Sequence, residues 1–288
     1  MEKRNFWVVP AVVLGFAIFT SSCQKTDMNT PTAPAATTTE TAASTVSSNA
    51  KASSMSQEVI SSSAEYMPNF SSTSFNAKTA GLQRVSTKNS VTITLDDPES
   101  NNFPKVVTID FGTTGFVGRR GNVMKGKIIV TVNKSVDGNF SKTYTYDNFS
   151  INDNQMKGVK SEAFNGTDTW YYSEKDTIIC ADGKREISNQ ERTHKMIDYN
   201  QTPFIYSDDT YSVTGSANGI NKEGKYYTIL IDEKNPIIVY TGYNYFIKGS
   251  LTLSSEGKTI IVDYGDGTKD SLATWTMDGT TTQIDLSK

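Results

Sequence analysis

The stretch Ile128-Ile129-Val130-Thr131-Val132 consists of β-branched residues, and its apolar side chains Ile128, Val130 and Val132 share one face when the chain is extended. The residues Asp137-Gly138-Asn139 follow it, and tyrosines then alternate at positions 144 and 146. A glycine that follows aspartate or asparagine, as Gly138 does, readily adopts the positive φ that a tight hairpin turn requires. The segment therefore predicts two antiparallel strands joined by a hairpin.

The same alternation recurs on both sides of this hairpin. The further sets are Val91, Ile93 and Leu95; Val107, Ile109 and Phe111; Tyr227, Ile229 and Ile231; Tyr243, Tyr245 and Ile247; and Ile260, Val262 and Tyr264. Turn pairs separate them, namely Asn165-Gly166, Asp182-Gly183, Asn218-Gly219, Glu223-Gly224, Glu256-Gly257, Asp266-Gly267 and Asp278-Gly279. Without a sustained helical period, this spacing predicts an all-β domain over residues 90–288, built as an antiparallel meander.

Two stretches of this domain resemble each other. Residues 108–112 read Thr-Ile-Asp-Phe-Gly and residues 261–265 read Ile-Val-Asp-Tyr-Gly, and a turn and a returning strand follow each. The likeness suggests two related halves, which would form either a sandwich or an open barrel.

An ordered set of short motifs resembles a family of β-rich Bacteroidota lipoproteins. The set comprises residues 108–112, Lys-Gly-Lys-Ile-Ile-Val at 125–130, Ser-Val-Thr-Gly-Ser-Ala at 212–217, Lys-Gly-Ser-Leu-Thr-Leu at 248–253 and Asp-Tyr-Gly-Asp-Gly-Thr at 263–268. Family members often carry cysteines in loops where this chain has Thr114 and Lys269, so no disulfide or metal role transfers. The resemblance implies a fold class and a location, and no activity.

The N-terminus has the pattern of a lipoprotein signal peptide. Basic residues at positions 3 and 4 precede an apolar run over residues 6–19, which is too short to span a membrane comfortably. Thr20-Ser21-Ser22-Cys23 resembles a lipobox, with Thr20 where leucine is usual. We predict a signal peptide over residues 1–22 and acylation of Cys23, with chains such as palmitate, as the membrane anchor.

Residues 23–89 are rich in serine, threonine and alanine, and neither an aromatic residue nor a leucine occurs between positions 20 and 65. A segment with so little apolar surface cannot offset the entropy lost on ordering, so it predicts a flexible tether. A short helix over residues 51–66 is an alternative for part of it.

Charge and cysteine content narrow the classes of partner. The chain has a formal net charge of −3, which gives no basic surface for nucleic acid. If Cys23 is acylated, Cys180 has no disulfide partner, and its apolar neighbours predict a buried, unreactive thiol.

Few residues suggest catalysis or metal binding. His194, the single histidine, lies in a polar run and is interpreted as a surface residue rather than a catalytic base. Asp263, Asp266 and Asp270 are candidates for a calcium site, although turn formation explains them better. No catalytic residue, metal ligand or cofactor is assigned.

Aromatic residues are the candidates for binding. Trp170, Tyr171, Tyr172, Tyr243 and Tyr245 could stack on sugars or present a protein-binding face, while an ordinary half-buried strand remains the alternative.

The sequence predicts a lipid-anchored protein of the outer membrane that binds a glycan or a protein without catalysis. Exposure of this protein at the cell surface is one of the two orientations that the anchor allows. The alternatives are a hydrolase acting on cell-surface polysaccharide or protein, and a structural component of a surface assembly.

Overall fold

The computed structural model describes residues 39–67, 91–96, 102–118, 120–134, 138–198 and 209–287. The predicted signal peptide and Cys23 lie outside these residues. None of the described helices has the length and apolarity that a membrane-spanning helix needs.

Within the described ranges the chain forms one helix and fifteen strands. In chain order they are α1 (Thr39–Tyr66), β1 (Thr92–Leu95), β2 (Lys105–Asp110), β3 (Phe116–Val117), β4 (Val123–Lys134), β5 (Phe140–Ile151), β6 (Asn154–Phe164), β7 (Thr169–Ile179), β8 (Arg185–Asp198), β9 (Thr210–Ile220), β10 (Tyr226–Ile231), β11 (Ile237–Tyr240), β12 (Lys248–Ser255), β13 (Lys258–Asp266), β14 (Leu272–Met277) and β15 (Thr280–Asp285).

These strands form one antiparallel sheet in which most strands pair with their neighbours in the sequence. The order is β1-β2-β4-β5-β6-β7-β8-β9-β10-β12-β13-β14-β15, with β3 paired to β4 and β11 paired to β9 and β12. The pairing of β7 with β8 remains in register over the whole of β7, from Thr169 opposite Lys195 to Ile179 opposite Arg185. The all-β fold and the antiparallel meander are confirmed.

The helix α1 lies against the inner face of the curled sheet. Of its side chains from residue 41 to residue 66, Glu65 alone is exposed. Helix side chains reach widely separated strands and turns: Thr45 contacts Asn221 after β9, and Glu58 contacts Asn122 before β4. The sheet therefore wraps round the helix as an open barrel, which favours this alternative over a sandwich of two separate sheets.

The helix occupies part of the segment for which the sequence predicted a flexible tether, and here the structure differs from that prediction. Small side chains explain the difference, because a helix enclosed by a sheet has room for alanine and serine and little room for leucine or phenylalanine. Ala42, Ala52, Ser53 and Ser63 are buried in this way. The alternative of a helix ending at Tyr66 is correct in type, although the helix begins at Thr39 and not at Lys51.

Two apolar clusters pack against opposite halves of α1. The first joins Val46 to strands β9–β14, where Tyr227, Leu253 and Trp275 are almost fully buried. The second joins Val59 to the strands at the start of the sheet and to the ends of β6 and β7. The inward positions of β6, β7 and β8, which lie between these clusters, carry charged and polar side chains instead.

Two local predictions are wrong. Residues 241–247 form a loop between β11 and β12, so Tyr243 and Tyr245 do not belong to a strand. Asn218 and Gly219 lie inside β9 rather than at a turn. Glycine is required at 219 because a Cβ there would lie 2.1 Å from the Ile187 carbonyl oxygen and 2.6 Å from the Tyr227 hydroxyl.

The two similar stretches share a local geometry. In each, the aspartate accepts a hydrogen bond from the glycine two residues later, at 2.8 Å for Asp110 and Gly112 and at 2.7 Å for Asp263 and Gly265. Both glycines have positive φ, and the intervening aromatic residue is buried in each case. The likeness thus extends from sequence to backbone at these two strand ends.

Candidate functional site

Charged side chains point into the barrel from three adjacent strands. We call Lys160 and Glu162 of β6, Glu174 and Asp176 of β7, and Glu186 and Arg192 of β8 the interior polar cluster; all six are at least 93 % buried. The register explains their proximity, since Lys160 pairs with Glu174, and Tyr172 pairs with both Glu162 and Arg192. Charge at this depth is costly unless it is paired.

Lys160 and Glu174 form the centre of this cluster. The ammonium group contacts the Glu174 carboxylate directly, donates a hydrogen bond to Ser56 Oγ at 2.7 Å and lies 4.6 Å from the centre of the Tyr172 ring. Ser56 in turn donates to Glu174 Oε1 at 2.5 Å, so α1 closes over the pair. The two side chains are only 1 % and 2 % exposed.

Two further carboxylates of the cluster, Glu162 and Glu186, accept hydrogen bonds as well. Glu162 accepts hydrogen bonds from the Tyr144 hydroxyl at 2.5 Å and from Lys142 Nζ at 2.6 Å. Glu186 accepts from Ser48 Oγ of the helix at 3.0 Å. Serine hydroxyls of α1 therefore each donate to one oxygen of Glu174 or Glu186, which gives these serines a structural role.

Asp176 differs from its neighbours because its proton is retained. Burial and the nearby negative charge of Glu174 raise the pKa of Asp176 to about 8, although Lys160 opposes the shift. The carboxyl atom Oδ1 has no hydrogen-bond donor among the described residues. The neutral acid is thus the favoured form at neutral pH.

This pKa gives stability a defined dependence on pH. The unfolded chain releases the Asp176 proton near pH 4, whereas the folded chain keeps it to about pH 8, so stability falls as pH rises through that window. The lowered pKa of His194 has the opposite effect on stability, which falls as pH drops below about 6.5 because the unfolded imidazole then binds a proton. Between about pH 6.5 and 8 the Asp176 contribution remains, and it amounts to roughly 1–2 kcal/mol.

We expect Asp176→Asn to remove this decline. Urea unfolding midpoints measured from pH 6.5 to 8.5 should fall for the wild type and stay nearly level for the variant. Asp153→Asn, which alters an exposed carboxylate, is the control and should retain the wild-type decline. Parallel profiles for the wild type and Asp176→Asn would contradict the assigned protonation.

His194 is not the surface residue that its polar neighbours suggested. Its half-buried ring lies between Tyr172 and Tyr211, with centroids 4.5 Å and 6.5 Å away. Burial and the positive charges of Lys160 and Arg192 lower the pKa of His194 to about 3. The imidazole is therefore neutral at physiological pH and packs as an aromatic side chain.

The predicted aromatic set divides between the two faces of the sheet. Tyr172 is buried inside the barrel, Tyr171 is exposed on the outside, and Trp170 stacks on Phe164 with ring centroids 4.4 Å apart. Tyr243 and Tyr245 contact each other edge to face at 5.8 Å, in the loop after β11. The five residues therefore do not form one binding stripe.

The three candidate calcium ligands each support a local turn. Asp263 accepts from the Gly265 amide, Asp266 from the Thr268 amide and hydroxyl, and Asp270 from the Leu272 amide, all within 3.1 Å. Across the described residues, no group of three or more histidine, cysteine or acidic side chains has the arrangement of a metal site. These aspartates act as turn residues.

Cys180 is buried, as its apolar neighbours predicted. Burial and the charge of Glu186 raise the pKa of this thiol, and Lys51, whose Nζ lies 3.5 Å from the sulfur, only partly offsets them. The thiolate, which is the reactive form, is therefore scarce and shielded.

We expect iodoacetamide to label Cys180 at least about a hundredfold more slowly in the folded chain than in urea, because the thiol is both protonated and covered. Mass spectrometry of a Cys23→Ala variant, which retains one thiol, measures this rate. A Thr228→Cys variant adds an exposed thiol as the control. Equal rates with and without urea would contradict the burial of Cys180.

The outer face of the sheet includes a band with few charges, in contrast to the interior polar cluster. Two adjacent rows of paired residues cross it, and we call them together the outer belt. The first row is Thr94, Thr108, Ile129, Thr145, Val159, Lys175, Asn189, Asn218, Thr228, Ser254 and Thr259. The second is Val106, Thr131, Thr143, Ser161, Ser173, Glu191, Ser216, Leu230, Thr252, Ile261, Thr276 and Thr281.

A hollow of about 460 Å³ opens on this belt across β7, β8 and β9. It is lined by Glu174, Lys175, Asn189, Gln190, Glu191, Ser216, Ala217 and Asn218. The side chains of Glu174, Gln190 and Ala217 are buried in the barrel, so the polar groups on the outside belong to the other five residues.

Sequence analysis missed both the interior polar cluster and the hollow. One pattern could have revealed the cluster, because inward positions of β7 and β8 continue an alternation in which Glu174, Asp176 and Glu186 replace apolar residues. The hollow depends on register across three strands, which alternation within one strand does not define.

Comparisons with protein-family models, with curated proteins and with solved structures find no match to this chain.

Proposed function

We propose that this chain is an exported lipoprotein of the outer membrane, held at the cell surface by fatty acyl chains on Cys23. In this proposal the β domain acts without catalysis, as a binding or structural protein of the envelope. The main support for a protein without catalytic activity is that α1 covers the titratable groups inside the barrel.

Hydrolysis by paired carboxylates requires that a substrate bond reach both groups. Glu174 and Asp176 are adjacent carboxyl groups, and one of them keeps its proton, which is the combination that acid–base catalysis needs. Both are buried, however, and Ser56 and Lys160 already occupy Glu174. This arrangement supports a structural role for the pair and argues against a hydrolase acting on cell-surface polymers.

The export and anchoring part rests on the sequence before the helix. The apolar run over residues 6–19 and the small residues before Cys23 have the order of a lipoprotein signal. The acidic balance of the chain offers little attraction to anionic lipid headgroups, so acyl chains on Cys23 would supply the membrane attachment.

Mass spectrometry, fractionation and protease shaving of whole cells test this proposal, with a Cys23→Ala variant as the control. We expect an acylated N-terminus at Cys23, recovery in the outer membrane and release of the domain from intact cells. The variant should be soluble. An unmodified Cys23, or identical behaviour of the two proteins, would refute the anchor, and protection from protease would place the protein inside the envelope.

A further inference from the structure

The outer belt is almost free of charge, and its two charged residues lie together. Apart from Lys175 in the first row and Glu191 in the second, the belt consists of threonine, serine, asparagine and aliphatic side chains. Its two asparagines, Asn189 and Asn218, lie beside this charged pair. All four residues line the hollow, so the charged and amide groups of the belt are concentrated there.

These groups are arranged to both donate and accept hydrogen bonds. Asn189 Nδ2 donates to Asn218 Oδ1 at 3.0 Å, which fixes both amides and directs further bonding capacity to solvent. Glu191 Oε1 accepts from Ser173 Oγ at 2.7 Å, which leaves Oε2 as an acceptor. Lys175 has no ion-pair partner in the described part of the chain, so its ammonium group is an available donor.

The opposite charges of Lys175 and Glu191 cancel, so the hollow offers no net attraction to an anion or a cation. An uncharged ligand with several hydroxyl groups matches such a lining, because each hydroxyl both donates and accepts. Apolar side chains border the same surface: Leu230 pairs with Ser216, and Ile187 lies two residues before Asn189. A sugar ring combines polar edges with an apolar face, and a hollow of about 460 Å³ is within the size range of small-ligand sites.

We infer that the hollow across β7, β8 and β9 binds a neutral sugar unit of a glycan, with Lys175, Asn189, Asn218 and Glu191 as the hydrogen-bonding residues. The inference rests on the proposed binding function and specifies its ligand class and its site. It does not involve the aromatic residues that the sequence had suggested.

Calorimetry with the full acylated chain in detergent micelles tests this site. The probes are neutral oligosaccharides of glucose, mannose, galactose and N-acetylglucosamine, with hyaluronate and polygalacturonate as anionic comparisons. We expect saturable binding of at least one neutral oligosaccharide. The double variant Asn189→Ala with Asn218→Ala should weaken it at least tenfold, equivalent to about 1.4 kcal/mol. Thr252→Ala, on the same belt and outside the hollow, is the matched control and should change affinity less than twofold.

Three outcomes would overturn the inference. The first is the absence of binding by every neutral probe at millimolar concentration. The second is equal affinity of the double variant and the control. The third is preferential binding of the anionic polymers with loss in Lys175→Ala, which would indicate an anion site. None of these results changes the acylation or shaving result, so failure of the sugar site and failure of the anchor are distinguishable.

Discussion

Lys160→Met should lower the free energy of unfolding by about 3–5 kcal/mol, because it leaves the Glu174 carboxylate buried without its cation. Lys160 and Glu174 are 1 % and 2 % exposed, so water cannot replace the lost partner. Methionine keeps similar length and volume, which separates the loss of charge from the loss of packing. Equilibrium unfolding in urea, monitored by tryptophan fluorescence, measures the change.

Two further variants make this result specific. Lys157→Met removes an exposed ammonium group from the opposite face of the same strand and should change stability by less than about 0.5 kcal/mol. Adding Glu174→Gln to Lys160→Met removes the stranded charge and should restore most of the lost stability. If Lys160→Met and Lys157→Met have equal effects, the ion pair is not buried as described.

Ser54→Pro should destabilise the protein by about 3 kcal/mol or more, since proline in the interior of a helix removes a backbone hydrogen bond and clashes with the preceding turn. Ser54 lies near the middle of α1 and is only partly exposed. Thermal or urea unfolding of the variant gives the magnitude.

Ser54→Ala is the matched control, and it should be neutral or slightly stabilising because alanine has the higher helix propensity. The comparison also distinguishes the helix from the tether that the sequence predicted. A proline in a flexible tether would leave the stability of the β domain unchanged, so wild-type stability of Ser54→Pro would exclude α1 from the folded core.

The sheet could be predicted from sequence because its core strands obey simple alternation. Tyr227, Ile229 and Ile231 point inward in β10, and Ile260, Val262 and Tyr264 do so in β13. Hairpin turns with glycine, such as residues 256–257, fixed the antiparallel order. Each of these features is local, so one segment suffices to recognise it.

The sequence predicted a helix only as an alternative over residues 51–66, and the burial of α1 was missed because this segment has few large apolar side chains. In α1, Ser48, Ser56 and Ser62 are buried and donate hydrogen bonds to carboxylates of sheet or helix. The carboxylates that bind Ser48 and Ser56 lie on strands more than a hundred residues away. The sequence of the helix alone does not reveal such distant partners. The same limit applies to His194, whose polar sequence neighbours point to the outside while its own ring points inward.

The near-sequential order of the sheet has a consequence for how fast the chain can fold. Hairpins from β4 to β8 can form one after another, each closing a short loop at a small entropic cost, so this part of the sheet can grow by zippering. Contacts of α1 with Glu174, Glu186 and Asn221 span 118 to 176 residues and must wait for those strands. We expect capture of the helix to be a late kinetic step, during which Lys160 and Glu174 are still hydrated, and Ser54→Pro to accelerate unfolding more than it slows the early collapse of the strands.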